Sequence, residues 1–78
     1  MAVPDEVLIE QLALENEEFR ATLEEHRKLG KSLDEMGQRR YLSEAENREM
    51  AMLKKRKLAL KDKIYQRVAE YRRSRVSA

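Results

Sequence analysis

Apolar side chains recur along the first half of the chain at alternating intervals of four and three residues. Residues at this spacing share one face of an α-helix, and the pattern is typical of a coiled-coil seam. Pro4 favours a helix start, because proline lacks the N–H that would be left unbonded in a first turn. The pattern predicts helix 1 over about residues 4–36, with Gly30 on an outer face. The seam of helix 1 comprises Leu8, Leu12, Glu15, Phe19, Thr22, His26, Leu29, Leu33 and Met36.

The same spacing resumes in the second half, after an interruption that contains Gly37. Ser43 and Glu46 are placed as a capping box, in which each side chain accepts a hydrogen bond from the other residue's backbone N–H. Gly37 suits the position just after a helix, so residues 37–43 are predicted to form a hinge. Helix 2 is predicted over about residues 44–73. Its seam comprises Glu46, Met50, Leu53, Lys57, Leu60, Ile64, Arg67 and Tyr71.

The two seams match when the helices lie antiparallel. The sequence therefore predicts an all-α, coiled-coil-like, antiparallel two-helix hairpin as a single domain over residues 1–78. A continuous single helix is the competing structure, but it would carry Gly37 and the Ser43 cap in its middle. The expected facing pairs are Leu8 with Tyr71, Phe19 with Leu60, His26 with Leu53, and Leu29 with Met50. The predicted hairpin core comprises Leu8, Leu12, Phe19, His26, Leu29, Leu33, Met50, Leu53, Leu60, Ile64 and Tyr71.

Each predicted helix also carries a thinner apolar line at seven-residue spacing. Two helices share only one interface, so these side chains would stay exposed in a monomer, and an exposed apolar strip usually marks an association surface. A homodimer that forms a four-helix bundle is favoured, and a groove for the helix of another protein is the alternative. The candidate oligomer face comprises Val7, Leu14, Ala21, Ala51, Leu58 and Tyr65.

Charge is divided between the halves of the chain. Residues 1–36 contain ten acidic and four basic side chains, whereas residues 37–78 contain five acidic and thirteen basic ones. The hairpin would set these halves together, with the expected pairs Glu18–Lys61, Glu24–Lys55 and Glu25–Lys54. Because helix 1 would neutralise much of helix 2, nucleic-acid binding is only the second choice. Its candidate contacts are Lys54, Lys55, Arg56 and Lys61.

Catalytic and cofactor chemistry find little support in the sequence. The chain has no cysteine, which excludes disulfides and cysteine-based metal sites. Its single histidine, His26, has no convincing second metal ligand three or four positions away, and neither HExxH nor a phosphate-binding loop occurs. His26 is interpreted as a seam residue whose ring nitrogens meet a carboxylate or water. We therefore expect no enzyme activity, no cofactor and no metal.

The expected location is the cytoplasm. The first residues are acidic and lack the basic and apolar regions of a signal peptide. No apolar run approaches the length of about 18 residues that a membrane-spanning helix needs, so no membrane span is expected.

Three segments resemble the small bacterial YdcH-like proteins. They are residues 16–19, residues 25–29 and, most specifically, residues 53–65, which read LKKRKLALKDKIY. The resemblance covers roughly residues 10–73, in the same order and with a similar hinge. It implies a bacterial helical hairpin of uncharacterised function and offers no catalytic or ligand residues. The sequence thus favours a non-enzymatic, self-associating protein-interaction module, with a nucleic-acid-binding accessory protein as the alternative.

Overall fold

The protein is all-helical in the part that the computed structural model describes, residues 4–76, with side chains described for residues 4–74. Its elements are α1 (Asp5–Glu15), α2 (Glu17–Gly37) and α3 (Glu44–Val76). The all-α prediction is confirmed, whereas the prediction of two helices is wrong, because three are found. The ends of the predicted domain, residues 1–3 and 77–78, lie outside the described range.

Asn16 divides the predicted helix 1 into α1 and α2. Its backbone is extended, with φ −134° and ψ 111°, so the helical path ends there. The Asn16 side chain then accepts a hydrogen bond from the Phe19 backbone N–H at 2.9 Å and caps α2. Glu17 and Glu18 follow in the first turn, where the helix dipole favours negative charge. The apolar spacing runs in step across Asn16, and for that reason it did not reveal this boundary.

The connection between α2 and α3 contains the predicted capping box, which is confirmed. The Ser43 Oγ accepts from the Glu46 N–H, and the Glu46 carboxylate accepts from the Ser43 N–H, both at 3.1 Å. The pKa of Glu46 lies below its ordinary value. The largest cause is the hydrogen bond from the Ser43 backbone N–H, and the Ser43 side chain and the ion pair with Arg39 lower the pKa further. The sequence predicts that Gly37 lies just after the helix. In the structure it is the last residue of α2, and its φ is not positive.

All three helices contribute to one apolar core. The core cluster comprises Leu8 and Leu12 of α1, Phe19 and Leu23 of α2, and Ile64 and Val68 of α3. Leu23 and Val68 are absent from the predicted core. Each lies four positions beyond a predicted core residue, Phe19 or Ile64, on the neighbouring turn of the same helix face. The change of direction at Asn16 lets α1 cover these positions, which one straight helix would leave open.

The predicted core residues differ in how deeply they are buried. Five are buried: Leu8, Leu12, Phe19, Leu33 and Ile64. Six are half-buried: His26, Leu29, Met50, Leu53, Leu60 and Tyr71. A pair of helices shields only one narrow seam, so most residues nearer the α2–α3 connection keep part of their surface in solvent.

Polar contacts join residues that are far apart in the chain. The Tyr71 hydroxyl donates to the Glu15 carboxylate at 2.9 Å, so the end of α1 is held against α3. Arg72 of α3 forms an ion pair with Asp5 at the start of α1. Both contacts lie beside the core cluster, and together they fix α1 along the C-terminal part of α3.

The predicted ion pairs between the first and second halves are not those observed. Glu25 pairs with Arg56 instead of Lys54. Within the described residues, the remaining two predicted pairs, Glu18–Lys61 and Glu24–Lys55, do not form. The charge division brings acidic and basic helices together, but the break at Asn16 and the packing of α1 alter which side chains meet.

Candidate interaction surfaces

An apolar line remains exposed on α3. Ala51, Leu58 and Tyr65 stand at seven-residue intervals and therefore share one side of this helix. Exposure is 58% for Leu58 and 49% for Tyr65. The ammonium group of Lys61 lies 5.9 Å from the centre of the Tyr65 ring, within the range of a cation–π contact. The fold of a single chain leaves this line open to solvent.

The matching line in the first half is interrupted. Val7 and Leu14 are exposed on α1, and Ala21 is exposed on α2. Asn16 lies between Leu14 and Ala21 and ends the helical path that would align them. The predicted oligomer face is therefore continuous on α3 only.

A groove opens where α1 meets α2. Its volume is about 330 Å³. Apolar side chains of both helices line it together with charged side chains of both signs. The lining residues are Glu10, Ala13, Leu14, Arg20, Leu23, Glu24 and Arg27. This combination suits an apolar side chain from a partner helix with charged neighbours.

Three of the predicted nucleic-acid contacts, Lys54, Lys55 and Lys61, are exposed and make no ion pair with the described residues. Arg56 differs, because its Nε donates to the Glu25 carboxylate at 2.9 Å and its guanidinium group pairs with the same oxygen. Arg56 is therefore exposed but paired with α2, and the lysines carry the positive charge of this segment that is not paired with the described residues.

His26 is half-buried on α2, and its Nε2 atom is buried without a hydrogen-bond partner among the described atoms. The predicted carboxylate contact is thus not made by this nitrogen. Burial, followed by the positive charges of Lys57, Lys61 and Arg27, lowers the pKa of His26 below its ordinary value. The ring consequently favours its neutral form more strongly than a free histidine does.

Gly30 faces α3 instead of lying on an outer face as predicted. A Cβ atom built on Gly30 would lie 3.7 Å from both the Cε and the Nζ of Lys57. Lys57 is a half-buried seam residue, and the bare backbone at Gly30 leaves room for its ammonium group beside α2. A methyl group at Gly30 would therefore meet only the flexible end of the Lys57 side chain, at an ordinary van der Waals distance.

Among the described residues, no group of three or more histidine, aspartate or glutamate side chains is arranged to hold a metal ion. In the same part of the chain, none of the helices combines the length and the apolar character needed to cross a bilayer.

Comparison with known proteins identifies a family. A family model described as "Protein of unknown function (DUF465)" matches residues 19–68, which include most of α2, the connection and much of α3. Comparison with curated proteins and with solved structures found no match. The matched span contains Leu58, Tyr65 and the basic segment, whereas α1 precedes it.

Proposed function

The chain belongs to DUF465, a family of proteins of unknown function, and on that premise we propose that it is a non-enzymatic protein that self-associates through α3. The observation that carries this proposal is the exposed line of Ala51, Leu58 and Tyr65 along one side of a 33-residue helix. The proposal includes the finer points that the chain is YdcH-like and bacterial, and that it works in the cytoplasm.

Burial of the α3 line alone supports only a weak dimer. About half of Leu58 and Tyr65 is already covered, so complete burial would contribute about 1–2 kcal/mol for each side chain. Two such side chains from each copy must offset an association cost of about 4–15 kcal/mol. A stable dimer therefore needs a second contact, and the groove between α1 and α2 offers one.

Charge determines which surfaces of the two copies should meet. Two α3 helices placed side by side would bring basic segments together, which is unfavourable. We therefore place the α3 line of one copy against the α1–α2 side of the other, which belongs to the acidic half of the chain and whose groove is lined by Ala13, Leu14 and Leu23. A two-fold axis makes this contact twice. The α2 and α3 helices of both copies would then form a four-helix bundle.

Sedimentation equilibrium across micromolar concentrations tests the proposal. The unmodified protein should change from monomer to dimer as its concentration rises, and Leu58→Glu should keep it monomeric. Met52→Glu is the matched control, because Met52 is also an exposed apolar residue of α3 but lies off the line. A folded, unmodified protein that stays monomeric throughout would contradict self-association and leave the helix of another protein as the occupant.

The alternative proposal is a nucleic-acid-binding accessory role. The observation that favours it is the exposure of Lys54, Lys55 and Lys61 without ion pairs to the described residues. Phosphate backbones attract such side chains, and the affinity falls as salt rises. Titration of labelled RNA and DNA at low salt tests this role, which requires binding that weakens on addition of salt.

A further inference from the structure

A group of cations gathers where α2 and α3 approach each other at Gly30. The Lys57 ammonium group lies beside the Gly30 backbone, 3.7 Å from where a Cβ would be. Arg27 precedes Gly30 by three residues on α2, and Lys61 follows Lys57 by four residues on α3. Residues at these intervals are neighbours on one helix face, so Arg27 and Lys61 extend the positive region from both helices.

These cations differ from other basic residues of the described part of the chain in their ion pairing. Arg56 pairs with Glu25 and Arg39 pairs with Glu46. In contrast, Arg27, Lys57 and Lys61 form no ion pair with the described residues, although Glu24 lines the same groove as Arg27. Like charges held close together repel, and a bound anion would relieve that repulsion.

His26 lies next to this group of cations in the sequence of α2. It lies one turn before Gly30, and its buried Nε2 has no hydrogen-bond partner among the described atoms. Burial is the main cause that lowers the pKa of His26, and the positive charges of Lys57 and Lys61 on α3 and of Arg27 on α2 lower it further. Charges carried by both helices thus act on the same ring.

We propose that Arg27, Lys57 and Lys61 form a binding site for a phosphate group between α2 and α3. The planar guanidinium of Arg27 matches two phosphate oxygens, and the lysines add compact positive charge. The phosphate belongs either to a single-stranded RNA backbone or to a small phosphorylated molecule. This site does not require self-association. It also differs from the α3-only contacts of the nucleic-acid alternative, because it includes α2.

The sole histidine of the chain provides the reporter. The pKa of His26 would be followed by NMR of the full chain at low salt, with and without saturating pyrophosphate or a single-stranded RNA oligonucleotide. A phosphate bound beside the ring should raise the pKa, because negative charge favours the imidazolium form. If pyrophosphate binds saturably, the site accepts the phosphate of a small molecule. If only the RNA oligonucleotide binds saturably, the phosphate comes from an RNA backbone.

Charge-removing variants locate the site. Three variants should each weaken binding about fivefold or more: Lys57→Gln, Lys61→Gln and Arg27→Gln. For RNA, the slope of log binding constant against log salt concentration should fall by an amount equivalent to about one phosphate contact. Lys63→Gln is the matched control, since Lys63 is an exposed α3 lysine two positions from Lys61 that forms no ion pair with the described residues. Lys57→Arg should retain binding, and circular dichroism would verify that each variant is folded.

Three results would overturn the site. The first is the absence of saturable binding of either probe together with an unchanged His26 pKa. The second is binding that Lys57→Gln and Lys63→Gln weaken equally, and the third concerns RNA. Binding of RNA that depends on Lys54 and Lys55 but not on Arg27 would contradict this site while supporting the alternative function. Phosphate binding by a strictly monomeric protein would contradict self-association and leave the site intact.

Discussion

The Asn16 side chain accepts a hydrogen bond from the Phe19 backbone N–H at 2.9 Å, and this contact marks where one helix ends and another begins. Asparagine favours such caps because its short side chain replaces the missing intrahelical partner of a first-turn N–H. Phe19 itself is 2% exposed. The cap therefore starts α2 with its aromatic residue directed into the core, beneath α1.

Asn16→Ala is expected to lower the free energy of unfolding by about 1 kcal/mol, because the Phe19 N–H loses its acceptor. Asn16→Asp should retain most of the stability, since its carboxylate can cap α2 in the same way. Urea unfolding followed by circular dichroism measures both changes. Asn47→Ala is the control, because the Asn47 side chain makes only a long contact of 3.5 Å to the Leu42 carbonyl. Equal effects at the two asparagines would contradict the capping role.

Phe19→Ala is expected to destabilise the protein by about 3 kcal/mol, because it removes a large buried side chain and leaves a cavity among three helices. Tyr41→Ala, at an aromatic residue that is 84% exposed, should change stability little. Chemical unfolding of the two variants at equal protein concentration gives the comparison. A loss well under 1 kcal/mol for Phe19→Ala would mean that the core described around it does not form in solution.

Gly30→Ala is expected to stabilise the protein by about 0.5–1 kcal/mol, because alanine restricts the unfolded chain and favours the helix. The added Cβ would meet Lys57 at 3.7 Å, an ordinary van der Waals distance, and Gly30 has no positive φ. Thermal unfolding measures the change. Gly37→Ala, at the last residue of α2, should increase the stability by a smaller amount. Destabilisation by Gly30→Ala would show that α3 lies closer to α2 than described.

Acidification is expected to destabilise the protein through His26. Its pKa is lower in the folded state because of burial and of Lys57, Lys61 and Arg27. The unfolded chain therefore takes up the proton first, and stability present above about pH 6.5 is lost as pH falls through the ordinary histidine range towards the folded pKa. The melting temperature of His26→Gln should depend less on pH than that of the unmodified protein between about pH 7 and 5. If the melting temperatures of the two proteins fall in parallel as the pH is lowered, His26 is not the source of the acid destabilisation.

The helical class and the boundary at Ser43 could be predicted because their causes are local. Heptad spacing makes a helix amphipathic whatever it packs against, and the Ser43–Glu46 capping box closes on itself within one turn. The exposed line of Leu58 and Tyr65 follows from the same periodicity. These features needed no knowledge of neighbouring elements.

The break at Asn16 had a local signal that the apolar spacing obscured. An asparagine followed by two glutamates is typical of a helix start, but the spacing from Leu12 to Phe19 remained in step across it. The apolar periodicity favours one continuous helix and the capping signal favours a break at Asn16, so the sequence is compatible with both structures. Packing favours the break, since it allows α1 to cover Leu23 and Val68.

The sequence by itself determined that the chain is helical, that its halves carry opposite charge, and that α3 keeps an apolar line beyond its seam. Only the tertiary structure decided that three helices share the core, that Glu25 meets Arg56, and that the Lys57 ammonium group lies beside Gly30. The reason is physical. Propensity and periodicity act within one turn, whereas the partner of a long charged side chain depends on the direction in which the neighbouring helix runs.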